Sequence, residues 1–195
     1  MRVRLAGAVA MALALASCGG GSPRGGATTP PPGGVVSPSA SPTAAVERYE
    51  DARFGFAFDI PEGWTLAEDP SAGVAVQLYP VAGATDAFAE NLNVVVEELQ
   101  TDLTASGYMD LAWAQLEPQL EDLELIGRDE LAVGGLPAAS IEYRARFPRS
   151  LAPLHLLQVA VLDGRTAFVL TYTGADEFRR YRPGAEAVIA SFSRA

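Results

Sequence analysis

The chain has 195 residues, about half of them hydrophobic, and a formal charge of −10 with one cysteine and one histidine. That length leaves room for one domain with a real core. The lone cysteine excludes an intramolecular disulfide, and the acidity argues against nucleic acid or anionic lipid headgroups as partners.

The first seventeen residues are organised as a leader. Arg2 and Arg4 supply a positive start, and Leu5 to Ala16 forms a short apolar run. Spanning a bilayer takes about 20 apolar residues, so this run fits a secretory signal better than a membrane helix. Leu15-Ala16-Ser17-Cys18 resembles a bacterial lipobox. The resemblance implies cleavage between Ser17 and Cys18 and acylation of the Cys18 thiol, so that Cys18 is the lipid attachment site. Two or three acyl chains, palmitate among them, give stable anchoring at about 0.8 kcal/mol per buried CH₂. The expected location is the extracytoplasmic face of the cell membrane. Removing Arg2 and Arg4 with the leader takes the mature chain to −12.

Residues 18–46 hold the lipidated cysteine and a tether rich in Gly, Pro, Ser and Thr, with no aromatic and no acidic residue. Such a segment cannot bury enough apolar surface to offset its ordering entropy, so it is expected to be disordered. It spans roughly 30 Å as a coil and about 85 Å in the polyproline form. It serves as a spacer.

Residues 47–195 are expected to form one folded domain. Phe54, Phe56, Phe58 and Ile60 alternate, as in a half-buried strand, and Pro61-Glu62-Gly63 stops them. Val74–Tyr79 and Asn91–Leu99 predict a second and a third strand, separated by a loop over 82–86. The period then changes. Apolar residues at 109, 112, 113, 116, 120 and 123 predict a helix over Tyr108–Leu123, capped by Thr104 or Ser106 and kinked or ended near Glu117 by Pro118. Strands follow over 124–133 and 138–147, joined by Gly134-Gly135. Asp163-Gly164 between two apolar runs predicts a hairpin of 155–162 and 165–173. Pro183 suits the first position of a last helix, and Phe178, Tyr181, Ala185, Ile189 and Phe192 line one helical face. Hairpin-linked strands with few helices give the α+β class: an antiparallel sheet of about seven strands flanked by helices.

The order of these elements and their punctuation resembles the PsbP-like superfamily. The aromatic strand running into Ile60-Pro61-Glu62-Gly63-Trp64, then Asn93-Val94-Val95, Gly135-Leu136-Pro137-Ala138 before Tyr143, Leu170-Thr171-Tyr172-Thr173 and Ser191-Phe192 are the residues that carry it. They cover the whole domain. The resemblance implies an α/β/α sandwich and an extracytoplasmic protein. Its members include extrinsic subunits of photosystem II and bacterial lipoproteins of the LpqN type. Fold alone assigns no activity.

The residues give catalysis little to work with, and an enzyme is not expected. Cys18 is consumed by the lipid, and the only histidine, His155, sits in an apolar run. No Gly-x-Ser-x-Gly elbow and no Cys/His cluster is present, so no cofactor and no structural zinc is expected. Glu97, Glu98 and Asp102, and the group Glu117, Glu121, Asp122 and Glu124, are carboxylates without EF-hand spacing. Glu142, Arg144, Arg146 and Arg149 form one polar stripe, which is either the wet side of a sheet or a partner surface. The expected function is a non-enzymatic, membrane-anchored lipoprotein that binds or stabilises an envelope protein complex. The alternative is a small-ligand or metal-ion binding module. Trp113, Tyr143, Arg144 and Arg146 are the candidate contact residues.

Overall fold

The computed structural model describes residues 47–195 apart from 69, 83–89, 149 and 151. The leader, Ser17, Cys18, the tether, most of the 82–86 loop and Arg149 lie outside the described residues.

Ten strands and two helices follow one another in the order β1 (Glu47–Asp51), β2 (Phe56–Ile60), β3 (Trp64–Leu66), β4 (Val76–Pro80), β5 (Asn91–Glu98), α1 (Ala105–Leu116), β6 (Glu121–Val133), β7 (Leu136–Arg146), β8 (Leu154–Asp163), β9 (Thr166–Gly174), α2 (Phe178–Ser191) and β10 (Ser193–Arg194). Seven of the strands form one antiparallel sheet in the order β3-β4-β5-β9-β8-β7-β6, and β1-β2-β10 form a small second sheet. The class is α+β, as the sequence predicts. The membership of the sheet differs from expectation. The aromatic strand β2 leaves the large sheet for the small one, and the short strand β3, started by Trp64, takes the edge place beside β4.

The small sheet exists because β2 is apolar on both sides. Phe56, Ala57 and Phe58 are all buried, so one face cannot simply look to water. β1, with the sequence Glu-Arg-Tyr-Glu-Asp, shields one edge of β2, and β10 pairs Ser193 with Ala57 and Arg194 with Phe56 on the other. The Ala195 N–H donates to the Gly55 carbonyl at 3.1 Å and continues the ladder.

α1 begins at Thr104, whose hydroxyl accepts from the Gly107 N–H at 3.0 Å. It is shorter than the apolar stripe predicts. Pro118 cannot donate to a helical bond, so the chain tightens into one 3₁₀ turn over Glu117–Gln119 and enters β6 at Glu121. Leu120 and Leu123 pack against the core beneath α1 without being helical. α2 departs from expectation the other way. It starts at Phe178 and carries Pro183 inside it. Phe178 is buried and its carbonyl accepts from the Tyr172 hydroxyl at 2.8 Å, which fixes the first turn. The bond Pro183 cannot make would go to the carbonyl of Arg179, an exposed residue that water can serve.

The large sheet separates two cores. On one face β2, α2 and β10's neighbour Phe192 close over Leu78, Leu92, Phe168, Leu170 and Tyr172. On the other, α1 lays Tyr108 and Met109 over Ile141, Tyr143 and Leu156. β8 and β9 lie between both layers, which is why they are nearly continuous apolar runs. Among the described residues, no helix is long and apolar enough to cross a membrane.

Candidate functional site

Two places in this frame gather polar side chains, one on each face of the sheet.

On the α2 face, the pairing of Arg144 with His155 puts Glu142 and His155 side by side. His155 Nε2 lies 2.7 Å from Glu142 Oε1. Arg182 of α2 reaches the same carboxylate through two bonds, at 2.9 and 3.1 Å, and donates from Nε to Glu186 at 2.7 Å. The His155 ring lies on Phe178, with centroids 3.6 Å apart and planes 15° apart. Burial holds its pKa below the ordinary histidine value. The Glu142 carboxylate works against that shift, and Arg144 and Arg182 add to it. An open groove of about 430 Å³ runs beside this cluster between β6, β7 and α2.

On the α1 face, a cleft with about 100 Å³ of free volume separates the helix from β5, β9, β8 and β7. Its helix side includes Met109, Trp113 and Leu116. Its floor is polar. Asn93 pairs with Thr171 across β5 and β9, and Thr171 with Gln158 across β9 and β8, so three polar side chains stand in one row. Gln77 extends the row on β4. Gln158 donates to the Thr171 hydroxyl at 3.2 Å, and the Tyr143 hydroxyl makes a long contact of 3.5 Å to Gln158 Oε1. At the rim, the Tyr108 hydroxyl donates to Glu97 at 3.0 Å. Burial raises the Glu97 pKa, and the Tyr108 bond opposes the rise. Tyr108 and Tyr143 are also pushed up, chiefly by burial, and stay protonated.

Of the four candidate contact residues, the structure brings two together. Trp113 lines the α1 cleft and meets Tyr143 edge-on at 5.2 Å, with the Arg128 guanidinium 5.1 Å over the indole. Tyr143 itself is fully buried. Arg144 and Arg146 point to the opposite face, as strand alternation requires. There Arg144 stands 3.9 Å from Glu124, and Arg146 Nε donates to Asp122 at 3.1 Å. The basic stripe of β7 is thus matched by the acids of β6. Glu97 and Glu98 diverge in the same way: Glu97 turns to Tyr108, and Glu98 accepts from Thr166 at 3.1 Å. Asp102 is exposed. The row Asn93–Thr171–Gln158 is absent from the sequence-based candidates. Its only signal there is the pattern Asn91-Leu92-Asn93, which resembles an ordinary solvated strand face.

The DcrB family model matches residues 57–191. No curated protein matches the chain in sequence. Among solved structures, the cyanobacterial PsbP (CyanoP) of Synechocystis sp. PCC 6803 superposes with a TM-score of 0.55 at 21% identity, over 82% of this chain and 98% of that one. LpqN of Mycobacterium tuberculosis, involved in cell envelope biogenesis, gives 0.55 at 14% identity, over 77% of this chain and 86% of its own. The Ran-binding protein Mog1p of Saccharomyces cerevisiae gives 0.53 at 10%, over 76% and 95%. At these identities the likeness is one of fold, and the fold is the PsbP-like one that the motifs imply.

Proposed function

The chain belongs to the DcrB family, and on that footing we propose that it is an envelope-associated binding protein without catalytic activity. In this reading it is anchored through lipidated Cys18, carried on the 19–46 spacer, and holds or stabilises an extracytoplasmic protein complex. The leader and the fold likeness to LpqN, a protein of cell envelope biogenesis, support the location. The fold likeness to Mog1p, a Ran-binding protein, supports the binding role.

The observation that carries the proposal is where the exposed aliphatic side chains lie. Among the described residues six large hydrophobic side chains are exposed, and four of them, Leu111, Leu125, Ile126 and Leu131, belong to α1 and β6. Leu125 and Ile126 are 49% and 45% exposed. β6 is the outer strand of the large sheet, paired only with β7 among the described residues. Its register shifts at 121–124 and 125–127 and its many charges blunt it against strand addition. A partner at this edge therefore docks on side chains, with Leu125 and Ile126 as its apolar contact. The absence of catalysis is supported by His155, which stacks on Phe178 and bonds to a carboxylate that Arg182 already clamps.

The test is co-purification of the intact lipoprotein from membranes in mild detergent. A stoichiometric envelope partner is expected, and Leu125→Arg with Ile126→Arg should abolish its recovery while the protein stays folded and anchored. A lipoprotein that remains alone in every mild detergent, or a partner indifferent to both substitutions, counts against the proposal.

A further inference from the structure

The floor of the α1 cleft is unusual for a sheet face covered by a helix. Asn93 is only 3% exposed and makes no side-chain hydrogen bond to the described residues, and its amide is not among their fully buried unpaired atoms, so it opens onto the cleft. An amide that opens onto a cleft has its donor and acceptor free for a ligand or for water. Beside it, the Thr171 hydroxyl accepts from Gln158 and keeps its own proton to donate, and Thr173 adds a second hydroxyl one row along. These groups have unused hydrogen-bonding capacity facing a common space.

We propose that the cleft between α1 and the sheet is a binding site for a small, uncharged, hydroxyl-rich molecule, held by Asn93, Gln158 and Thr171 against the wall formed by Trp113. Carboxamides and hydroxyls both donate and accept. Their complement is a ligand whose groups do the same, as polyol and sugar hydroxyls do. No arginine is among the described residues that line the cleft, which disfavours a phosphate or a carboxylate. The one acid among its described lining residues, Glu97, is engaged by Tyr108, which disfavours a cation. Trp113, Leu156 and Val169 supply apolar surface for C–H groups. About 100 Å³ corresponds to roughly three water molecules. The occupant is thus of glycerol size, or is the terminal sugar of a longer molecule whose remainder leaves through the opening. This inference does not depend on the protein partner proposed above.

The experiment uses the intact lipoprotein in a detergent without a sugar or polyol headgroup, and reads Trp113 fluorescence. Trp64, the other tryptophan, lies on the opposite face with Tyr172 and gives a constant background. The probes are glycerol, methyl α-D-glucopyranoside and inorganic phosphate. A saturable change with either polyol and none with phosphate is expected; glycerol alone indicates a free polyol, and the glucoside indicates a sugar terminus. Asn93→Leu and Thr171→Val should each weaken binding tenfold or more. Because Asn93 has no partner to lose, Asn93→Leu should also melt at or above the parent's temperature. The inference is overturned by no saturable response to either polyol, by a preference for phosphate, or by full binding in Thr171→Val. A much lower melting temperature for Asn93→Leu, which would assign Asn93 to the fold, also overturns it.

Discussion

Gly184 of α2 and Trp64 of β3 touch so closely that a Cβ at position 184 would stand 2.2 Å from the indole Nε1 and 2.7 Å from Cε2. The glycine sits inside a helix, where alanine is ordinarily preferred by about 1 kcal/mol. Here the preference reverses. Gly184→Ala must push Trp64 off Tyr172 or lift α2 from the sheet, at about 1–3 kcal/mol. Urea denaturation is expected to show a lower midpoint. An equal or higher one would mean that α2 and Trp64 are not packed this way.

The clamp on Glu142 gives a second expectation. Glu142→Leu leaves His155 without its acceptor and removes one of the two carboxylates that hold Arg182. Both elements lose a tie between sheet and helix. The expected loss is about 1–3 kcal/mol, because Arg182 keeps Glu186 and is itself partly solvated. Equilibrium unfolding of the variant beside Arg144→Leu, a change at a more exposed pair, would show whether the clamp matters more than the β6 ion pairs.

His155 makes stability depend on pH in a defined direction. Its folded pKa lies below the ordinary value of 6.5. Between the two values the unfolded chain binds more protons, so the stabilisation is complete above about pH 6.5 and is lost as pH falls below it. His155→Phe should flatten that part of the stability curve. Arg182→Met should raise the His155 pKa in the folded protein, since a positive neighbour is removed, and an NMR titration of the ring reads this directly. A pKa that stays put would mean that Arg182 does not act on the ring.

Cys18→Ala should move the protein from the membrane fraction to the soluble extracytoplasmic fraction with the domain's melting temperature unchanged. If fractionation does not change, the lipobox reading is wrong.

Local chemistry made much of the fold legible. Asp163-Gly164 marks the β8–β9 hairpin, and Pro118 marks the end of α1, because both act through their own backbone. What the sequence hid depends on distant neighbours. β1 is a strand only because β2 needs an edge partner, and its own composition of charges around one tyrosine carries no strand signal. The candidate site divides the same way. Trp113 and Tyr143 were recognisable as large aromatics on apolar stripes, and they meet. Asn93 and Thr171 lie on the alternate positions of their strands, which looks like a face turned to water. Alternation states which side a residue takes and is silent on what covers that side. Likewise Arg144 and Arg146 form a basic stripe in one dimension, and the acids that match them come from β6, brought alongside by a hairpin.

The pairing of β2 with β10 bears on the order of folding. Phe56 stacks on Phe192 at 5.7 Å, and its strand is closed by residues 193 and 194, across almost the full length of the described domain. Contacts of such high sequence separation form late. On the proposed export route, β2 would emerge early and wait, with one edge open and its aromatic side chains uncovered, for its last partner. The residues that close this core are residues 192–194, so the β2 side of the domain is complete only once they are available.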